Sequence, residues 1–152
     1  MVATAGRNRL EEIAQDLFEV VTQLCLTVPR GRRREGDLKE IELLTLSILQ
    51  ERGTMIVGDI QRILGVLPAQ MSRVIRSLED RPEALIACRI NPQDKRKIDV
   101  CMTDAGEKTL LEYQAVRVRR IAELLHDLTE EEQGSLIHLL DRVRGLLERA
   151  VS

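Results

Sequence analysis

The sequence predicts a mainly helical fold with one small antiparallel β-hairpin, an α+β architecture in a single subunit of 152 residues. Two patterns carry this prediction. Apolar residues recur at three- and four-residue spacing over six segments, which is typical of amphipathic helices. Between the fourth and fifth of these segments, the pattern changes to two short apolar runs that flank a polar turn, which is typical of paired strands.

The first two helices are predicted from an apolar stripe and from their capping residues. The first runs from about Leu10 to Val28, with Asn8 and Glu11 as its N-terminal cap pair, and a proline and an arginine-rich loop end it. The second runs from Asp37 to Gly53, with Asp37 as the cap and Glu40 three residues further on. Each helix therefore has one apolar face to bury.

The middle of the chain predicts two further helices joined by a tight turn, and then the hairpin. Met55–Val57 is predicted to add one bridge to a small sheet, and Gly58–Leu64 is a short helix ended by glycine. Pro68 opens the next helix, which runs to about Asp80, because a proline at the first helical position loses no hydrogen bond. The two strands that follow, around the polar turn 91–97, are Leu85–Ile90 and Ile98–Met102.

The last two helices are predicted after residue 103. Thr103 caps a helix that reaches about His126, and Thr129 with Glu132 caps the final one. The first helix and these two have apolar stripes longer than one small lobe can cover, so we expect residues 8–29 and 104–150 to form a dimerisation lobe with a second copy. The residues expected at that interface are Leu10, Ile13, Leu17, Leu136, Leu140, Val143 and Leu147.

Composition and charge narrow the range of functions. Hydrophobic residues make up 43% of the chain, but one Phe, one Tyr and no Trp exclude modules that stack bases on aromatic rings. No apolar run is long enough for a membrane span, no signal core is present, and three scattered cysteines form no disulfide framework, so we expect a cytoplasmic protein. Residues 52–97 carry a net charge of +4 between acidic flanks, which favours a polyanion partner.

Residues 37–103 thus read as a helix-turn-helix followed by a hairpin, which is a winged helix, and we expect this lobe to bind double-stranded DNA. The second helix of such a unit enters the major groove, where Arg and Gln can bond guanine and adenine. The alternative is that the cations are solvated on an ordinary helix face and turn. The residues predicted to contact DNA are Gln70, Ser72, Arg73, Arg76, Ser77, Asp94, Lys95, Arg96 and Lys97.

Several stretches of the sequence resemble the MarR family of transcriptional regulators. Residues 94–106 resemble the wing of that family, with Asp94 and Arg96 followed by Met102, Thr103 and Gly106. Residues 59–66 resemble the first helix of its helix-turn-helix, and residues 71–79 resemble its recognition helix. Two departures stand out: residues 80–84 are longer than usual and lack a glycine, and the recognition helix begins at Leu67-Pro68 without a Ser or Thr cap.

The resemblance implies a homodimeric regulator that binds a pseudo-palindromic operator, and we expect a repressor that responds to a ligand or to stress. It also implies that Arg96 enters the minor groove, that Asp94 orients Arg96 by a salt bridge, and that a small molecule or oxidant binds between the two lobes. The alternative function is a winged-helix adaptor for protein interaction. No catalytic set or glycine-rich phosphate loop occurs, so we expect neither an enzyme nor a cofactor.

The cysteines, the histidines and one arginine cluster leave alternatives open. Some relatives sense peroxide with a cysteine on the first helix, but no cation lies beside Cys25, so we expect a buried, inert thiol there. Cys88 and Cys101 are expected to face each other across the hairpin. His126 and His138 lie far apart, so no metal site is expected. Four arginines at 30 and 32–34 form either a solvated loop or an extra phosphate contact.

Overall fold

The computed structural model describes residues 2–27 and 36–151, with side chains from residue 8 onward. Within these residues, six helices and a three-stranded antiparallel sheet follow one another in the predicted order. The chain forms two compact units, one up to residue 116 and one from residue 117. The elements are α1 (Val2–Thr27), α2 (Glu40–Arg52), β1 (Met55–Ile56), α3 (Val57–Leu64), α4 (Pro68–Glu79), β2 (Ile86–Ile90), β3 (Ile98–Met102), α5 (Asp104–Leu124) and α6 (Glu130–Val151).

The hydrophobic core of the first unit is built from α2, α3, α4, the sheet and the first half of α5. Its buried apolar side chains all lie between Leu38 and Leu110, and burial of such groups is the main driving force of folding. Six of these apolar side chains have no exposed surface, and they come from five different elements. They are Leu46, Ile60, Met71, Leu78, Val100 and Leu110.

The sheet has the strand order β1-β3-β2, so the short β1 pairs with β3. Met55 lies opposite Val100, which confirms the predicted bridge. The register of the hairpin differs from expectation, because Cys88 pairs with Val100 and Cys101 pairs with Ala87. Directly opposite residues share one face of a sheet and neighbours alternate, so Cys88 and Cys101 lie on opposite faces. The prediction that these cysteines face each other was wrong by one residue.

The starts of the first two helices also differ from the prediction. α1 begins at Val2, so Asn8 and Glu11 lie inside the helix and cannot cap it. α2 begins at Glu40, and its N-cap is Lys39 rather than Asp37. The Lys39 backbone N–H donates a hydrogen bond of 2.9 Å to Oε2 of Glu42. The Glu42 carboxylate in the first turn therefore caps the start of α2, which is the role that the sequence assigned to Asp37.

The caps predicted for the last two helices are confirmed. The Gly106 backbone N–H donates to Thr103 Oγ1 at 3.1 Å at the start of α5. At the start of α6, the Glu132 N–H donates to Thr129 Oγ1 and the Thr129 N–H donates to Glu132 Oε2. Gly106 is also required by close packing, because a Cβ there would lie 2.1 Å from the Leu85 carbonyl oxygen. The first turn of α5 is thus pressed against the start of the hairpin.

The two terminal helices contribute little to the core. Every side chain of α1 from Asn8 to Thr27 is exposed, and no residue of α6 is buried among the described residues. Cys25 is exposed as well, so the expectation of a buried thiol was wrong for the single chain. The arginines at 30 and 32–34 and the predicted end of the first helix lie outside the described residues. In the described part of the chain, no helix combines the length and the apolarity needed to cross a membrane.

Candidate nucleic-acid interface

The second helix of the helix-turn-helix, α4, has one buried face and one exposed face. Gly65, in the left-handed conformation with φ +64°, ends α3 and turns the chain toward α4. The buried face carries four apolar residues that pack into the core, which fixes the direction of the opposite face. The buried residues are Met71, Val74, Ile75 and Leu78. Four of the residues predicted to contact DNA are exposed on this helix: Gln70, Ser72, Arg73 and Arg76.

Ser77 differs from the other predicted contacts on α4. Its side chain is half-buried, and its hydroxyl donates a hydrogen bond of 2.5 Å to Oε1 of Glu42 on α2. The expectation that Ser77 lies on the exposed face was therefore wrong. The buried Glu42 accounts for this, because a carboxylate removed from water needs hydrogen-bond donors. Glu42 itself is 2% exposed.

The wing turn is held in shape by one asparagine. Asn91 Oδ1 accepts the backbone N–H groups of Gln93 at 2.9 Å and Asp94 at 3.0 Å, and its Nδ2 donates to Asp99 Oδ1 at 2.9 Å. The Asn91 N–H donates to the Lys97 carbonyl oxygen at 2.9 Å, which closes the turn. Asn side chains stabilise turns in this way by bonding the backbone two or three residues on. The three cations of the turn are thereby presented on an ordered loop rather than on a flexible one.

An ion pair orders the tip of the wing. Arg96 Nε lies 3.2 Å from Asp94 Oδ1, and the Arg96 backbone N–H donates to the same oxygen at 3.1 Å. The side-chain hydrogen bond from Arg96 is the main cause that lowers the pKa of Asp94 below its ordinary value of 3.8. The pair leaves the Arg96 side chain 90% exposed. The salt bridge expected from the resemblance is therefore present, and it leaves the guanidinium accessible.

A groove of about 750 Å³ lies between the exposed face of α4 and the wing. It brings Ser72 and Arg76 of α4 together with Arg96 and Lys97 of the wing. The other predicted contacts do not line the groove, although Gln70, Arg73 and Lys95 are exposed. Four cations and three carboxylates line it, so its charge is mixed. The lining charges are Arg62, Arg76, Arg96 and Lys97, with Asp59, Glu79 and Asp80.

Two exposed residues at this surface were not predicted as site residues. Arg62 on α3 pairs with Asp59 and keeps its side chain 78% exposed at the groove. Leu67, the N-cap residue of α4, is 74% exposed. Arg62 could have been identified from the sequence by its place in the first helix of the helix-turn-helix. The sequence around Leu67 did not identify it as a site residue, because single exposed leucines are common on protein surfaces.

A thiol also borders the groove. Burial, and then the nearby Glu79 carboxylate, raise the pKa of Cys88 from 9.0 to about 11. Since the thiolate is the reactive form, Cys88 is a poor nucleophile and a poor metal ligand near neutral pH. Among the described residues, no three His, Cys, Asp or Glu side chains come close enough together to hold a metal ion. The groups that this surface offers to a ligand are chiefly the hydrogen-bonding cations Arg62, Arg76, Arg96 and Lys97.

Comparison with known proteins gives consistent results. The family model described as "MarR family" matches residues 38–98. The HTH-type transcriptional repressor MdtR of Bacillus subtilis is 33% identical over 107 residues, which cover 70% of this chain and 68% of MdtR. The crystal structure of YusO from Bacillus subtilis matches with a TM-score of 0.66 at 26% identity, over 90% of this chain and 94% of YusO.

A third similar protein is BpsR of Bordetella bronchiseptica, whose structure addresses the regulation of its DNA binding by 6-hydroxynicotinic acid. It matches with a TM-score of 0.61 at 19% identity, over 88% of this chain and 98% of BpsR, which shows a shared fold. The family match covers the helix-turn-helix and most of the wing, where the exposed cations described above lie. The chain therefore belongs to the MarR family and is a transcriptional regulator with a winged-helix DNA-binding fold.

Proposed function

We propose that this regulator is a homodimeric repressor that binds a pseudo-palindromic operator. Residues 37–103 form the DNA-binding lobe, in which α4 enters the major groove and the wing reaches phosphates and the adjacent minor groove. Residues 8–29 and 104–150 form the dimerisation lobe, although the first half of α5 also packs into the winged lobe through Leu110. The repressor MdtR is the relative that motivates the direction of regulation.

The observation that carries this proposal is the arrangement of cations around the groove. Arg76 on α4 and Arg96 and Lys97 on the wing border one concave surface, while Arg73 projects from the same exposed face of α4. An Arg fork can bond two acceptors of guanine or one phosphate, and exposed Arg side chains are attracted into narrow minor grooves. In this proposal Arg73, Arg76 and Gln70 contact bases, Ser72 contacts base or backbone, and the wing cations contact phosphates and the minor groove.

The apolar terminal helices support the homodimer. Leu10, Ile13 and Leu17 on α1 are all at least half exposed, as are Leu140 and Leu147 on α6. Contiguous apolar side chains of this size are rarely left in water, and a second copy of the chain is the simplest partner. Two copies would present two copies of α4 to consecutive turns of DNA. We assign Leu136 and Val143, which are half-buried, to the same interface.

We also propose that a small molecule or an oxidant releases the operator. The regulation of BpsR by 6-hydroxynicotinic acid motivates this part of the proposal. An effector acts by binding more tightly to a dimer in which the two α4 helices have the wrong separation for DNA. The exposed Cys25 keeps oxidation as an alternative to a small molecule.

Selection of bound fragments from a random DNA pool at two salt concentrations tests the proposal. We expect an enriched inverted repeat with half-site centres roughly 10 base pairs apart, because the two α4 helices of a dimer face successive turns. Binding should weaken steeply as salt increases, because phosphate contacts release counterions. Sequence-blind retention at both salt concentrations would contradict the proposal.

The paired substitution Arg73→Ala with Arg96→Ala tests the two contact surfaces directly. We expect operator affinity to fall at least about 100-fold, because each subunit loses a base contact and a wing contact. The control is Lys108→Ala with Arg119→Ala, which removes the same charge from exposed positions on α5. The control should change affinity only slightly. Full operator binding by the Arg73 and Arg96 variant would exclude these residues from the interface.

A second candidate function is a protein-binding adaptor that does not read DNA. The three carboxylates in the groove, Asp59, Glu79 and Asp80, are the observation that favours it, because they would repel phosphates. The same selection separates the two functions. An adaptor enriches no DNA sequence, and its DNA retention does not depend on Arg73.

A further inference from the structure

Glu42 is a buried carboxylate with donors from three parts of the winged lobe. It is 2% exposed and lies in the first turn of α2. Its Oε2 accepts the Lys39 N–H at 2.9 Å and Arg81 Nη2 at 3.2 Å, and its Oε1 accepts the Ser77 hydroxyl at 2.5 Å. A buried charge that loses its partners is costly, so these contacts restrict where each donor can move. Nothing in the proposed DNA contacts explains why a charge is buried here.

Two of these donors belong to the C-terminal end of the recognition helix. Ser77 lies in the last turn of α4, one turn beyond Arg73, and Arg81 lies in the segment just after α4. The segment is closed by a hydrogen bond of 3.0 Å from the Leu85 N–H to the Leu78 carbonyl oxygen. A bond to Ser77 therefore limits rotation of α4 about its axis, and rotation would move the Arg73 and Arg76 side chains.

Arg81 extends the same contacts to the chain before α2, and Tyr113 extends them to α5. Arg81 Nη1 donates to the Gly36 carbonyl oxygen at 2.6 Å. The Tyr113 hydroxyl accepts the Leu38 N–H at 2.9 Å and donates to Asp37 Oδ1 at 3.1 Å. Residues 36–42 are thus bonded both to the end of α4 and to α5. Residues 80–84, the part of the chain that departs from the family pattern, supply the arginine of this contact.

We propose that Glu42 is a positioning residue that sets the orientation of α4 for DNA reading, acting through Ser77 and Arg81. This inference rests on the proposed function. It gives Ser77 an indirect role in place of the direct DNA contact predicted from the sequence. It also requires that loss of Glu42 weakens sequence discrimination more than it weakens attraction to DNA in general.

A double-mutant cycle in operator binding tests the proposal. The variants are Ser77→Ala, Glu42→Gln and the two together, measured on the selected operator and on unrelated DNA of the same length. Each single change should weaken operator binding roughly tenfold, within the range of coupling seen between contacting residues. The double variant should be no weaker than the weaker single variant. Affinity for unrelated DNA and the salt dependence should change less than about twofold, because no phosphate contact is removed.

Three further variants make the result specific. Ser77→Thr keeps the hydroxyl and should restore operator binding. Arg81→Met removes a different donor to Glu42 and should reproduce the selective loss if Glu42→Gln does not fold. Ser72→Ala is the matched control on the same helix, since Ser72 is exposed and should act independently of Glu42, so that its effect adds to that of Glu42→Gln.

The outcomes separate this inference from the function on which it rests. Additive losses for Ser77→Ala and Glu42→Gln would mean that Ser77 touches DNA itself, and would overturn the positioning role while leaving the operator intact. Equal losses of affinity for operator and for unrelated DNA, with a smaller fraction of active protein, would mean that Glu42 only stabilises the fold. Failure of the unmodified protein to select any operator would overturn the proposed function and this inference together.

Discussion

The winged lobe and the terminal helices use the same kind of amphipathic sequence with opposite results. In the lobe, the apolar faces of α2, α3 and α4 meet one another, and Leu46, Ile60 and Met71 have no exposed surface. In α1, Leu10 is 70% exposed and Leu17 is 51% exposed. A three- and four-residue apolar pattern therefore predicts a face that needs a cover, but it does not say whether the cover belongs to the same chain.

Among the tests of this comparison, a charge placed on the apolar face of α1 should have the largest effect. If a second copy covers that face, Leu17→Glu should separate the dimer and weaken operator binding by roughly 1,000-fold, the low end of the gap between specific and non-specific binding. Sedimentation velocity gives the oligomeric state, and fluorescence anisotropy gives the affinity. The control is Gln23→Glu, which adds the same charge to an exposed position of α1 off the stripe. A Leu17→Glu variant that remains dimeric would remove α1 from the interface.

Truncation of a core side chain should have a smaller effect, and one that does not depend on protein concentration. Leu46→Ala should lower the free energy of unfolding by about 3 kcal/mol, because it leaves a cavity in a fully buried site. Urea unfolding at several protein concentrations measures this loss. Leu17→Ala provides the contrast, since its effect should grow with concentration if α1 is covered by another copy. Equal, concentration-independent losses for both variants would show that α1 is covered by its own chain.

The smallest expected effect concerns the cysteines of the two regions. Because the pKa of Cys88 is raised to about 11, this thiol should hold roughly 100-fold less thiolate at pH 8 than an ordinary cysteine, and should react slowly with iodoacetamide. Cys25, which is exposed on α1, should react faster in a dilute sample. Peptide mass spectrometry over time measures both rates. Fast labelling of Cys88 at pH 8 would contradict the raised pKa.

The same pKa shift predicts how stability depends on pH. The fold favours the neutral thiol of Cys88, so this contribution is fully present below pH 9 and is lost as the pH rises toward about 11. Glu79→Gln removes one cause of the raised pKa of Cys88. It should therefore make the loss of stability above pH 9 smaller, and it should speed the labelling of Cys88. The labelling rates compare a thiol inside the winged lobe with one outside it, and the pH dependence of stability reports on the thiol inside the lobe.

Several features that depend on neighbouring residues could be predicted from the sequence, although the caps of the first two helices were not. The Thr129–Glu132 cap pair is one example, because both hydrogen bonds join residues three apart. The helix that begins at Pro68 and the order of the two hairpin strands are others. The cations of α4 and of the wing were placed on exposed surfaces because helix periodicity and a polar turn are local patterns.

Features that depend on distant residues could not be predicted in this way. Ser77 was assigned to the exposed face by helix periodicity, but Glu42, 35 residues earlier, draws its hydroxyl inward. The predicted pairing of Cys88 with Cys101 is off by one position, because residue spacing does not reveal the hydrogen bonds by which Asn91 shapes the turn. The thiol of Cys25 was expected to be buried because Cys25 lies near the apolar stripe of the first helix, but in the single chain that stripe is exposed.

The uneven anchoring of α4 bears on how a regulator of this kind changes its target. Its last turn is fixed by the buried Leu78 and by Ser77, whereas Leu67 to Gln70 at its opposite end are open to solvent. The N-terminal residues of a recognition helix are the ones that touch base edges. Under the proposed function, substitutions at those four exposed positions should change the DNA sequence that is bound at little cost to the packing of the lobe, so a duplicated gene could acquire new binding sites on a chromosome without first gaining stability elsewhere.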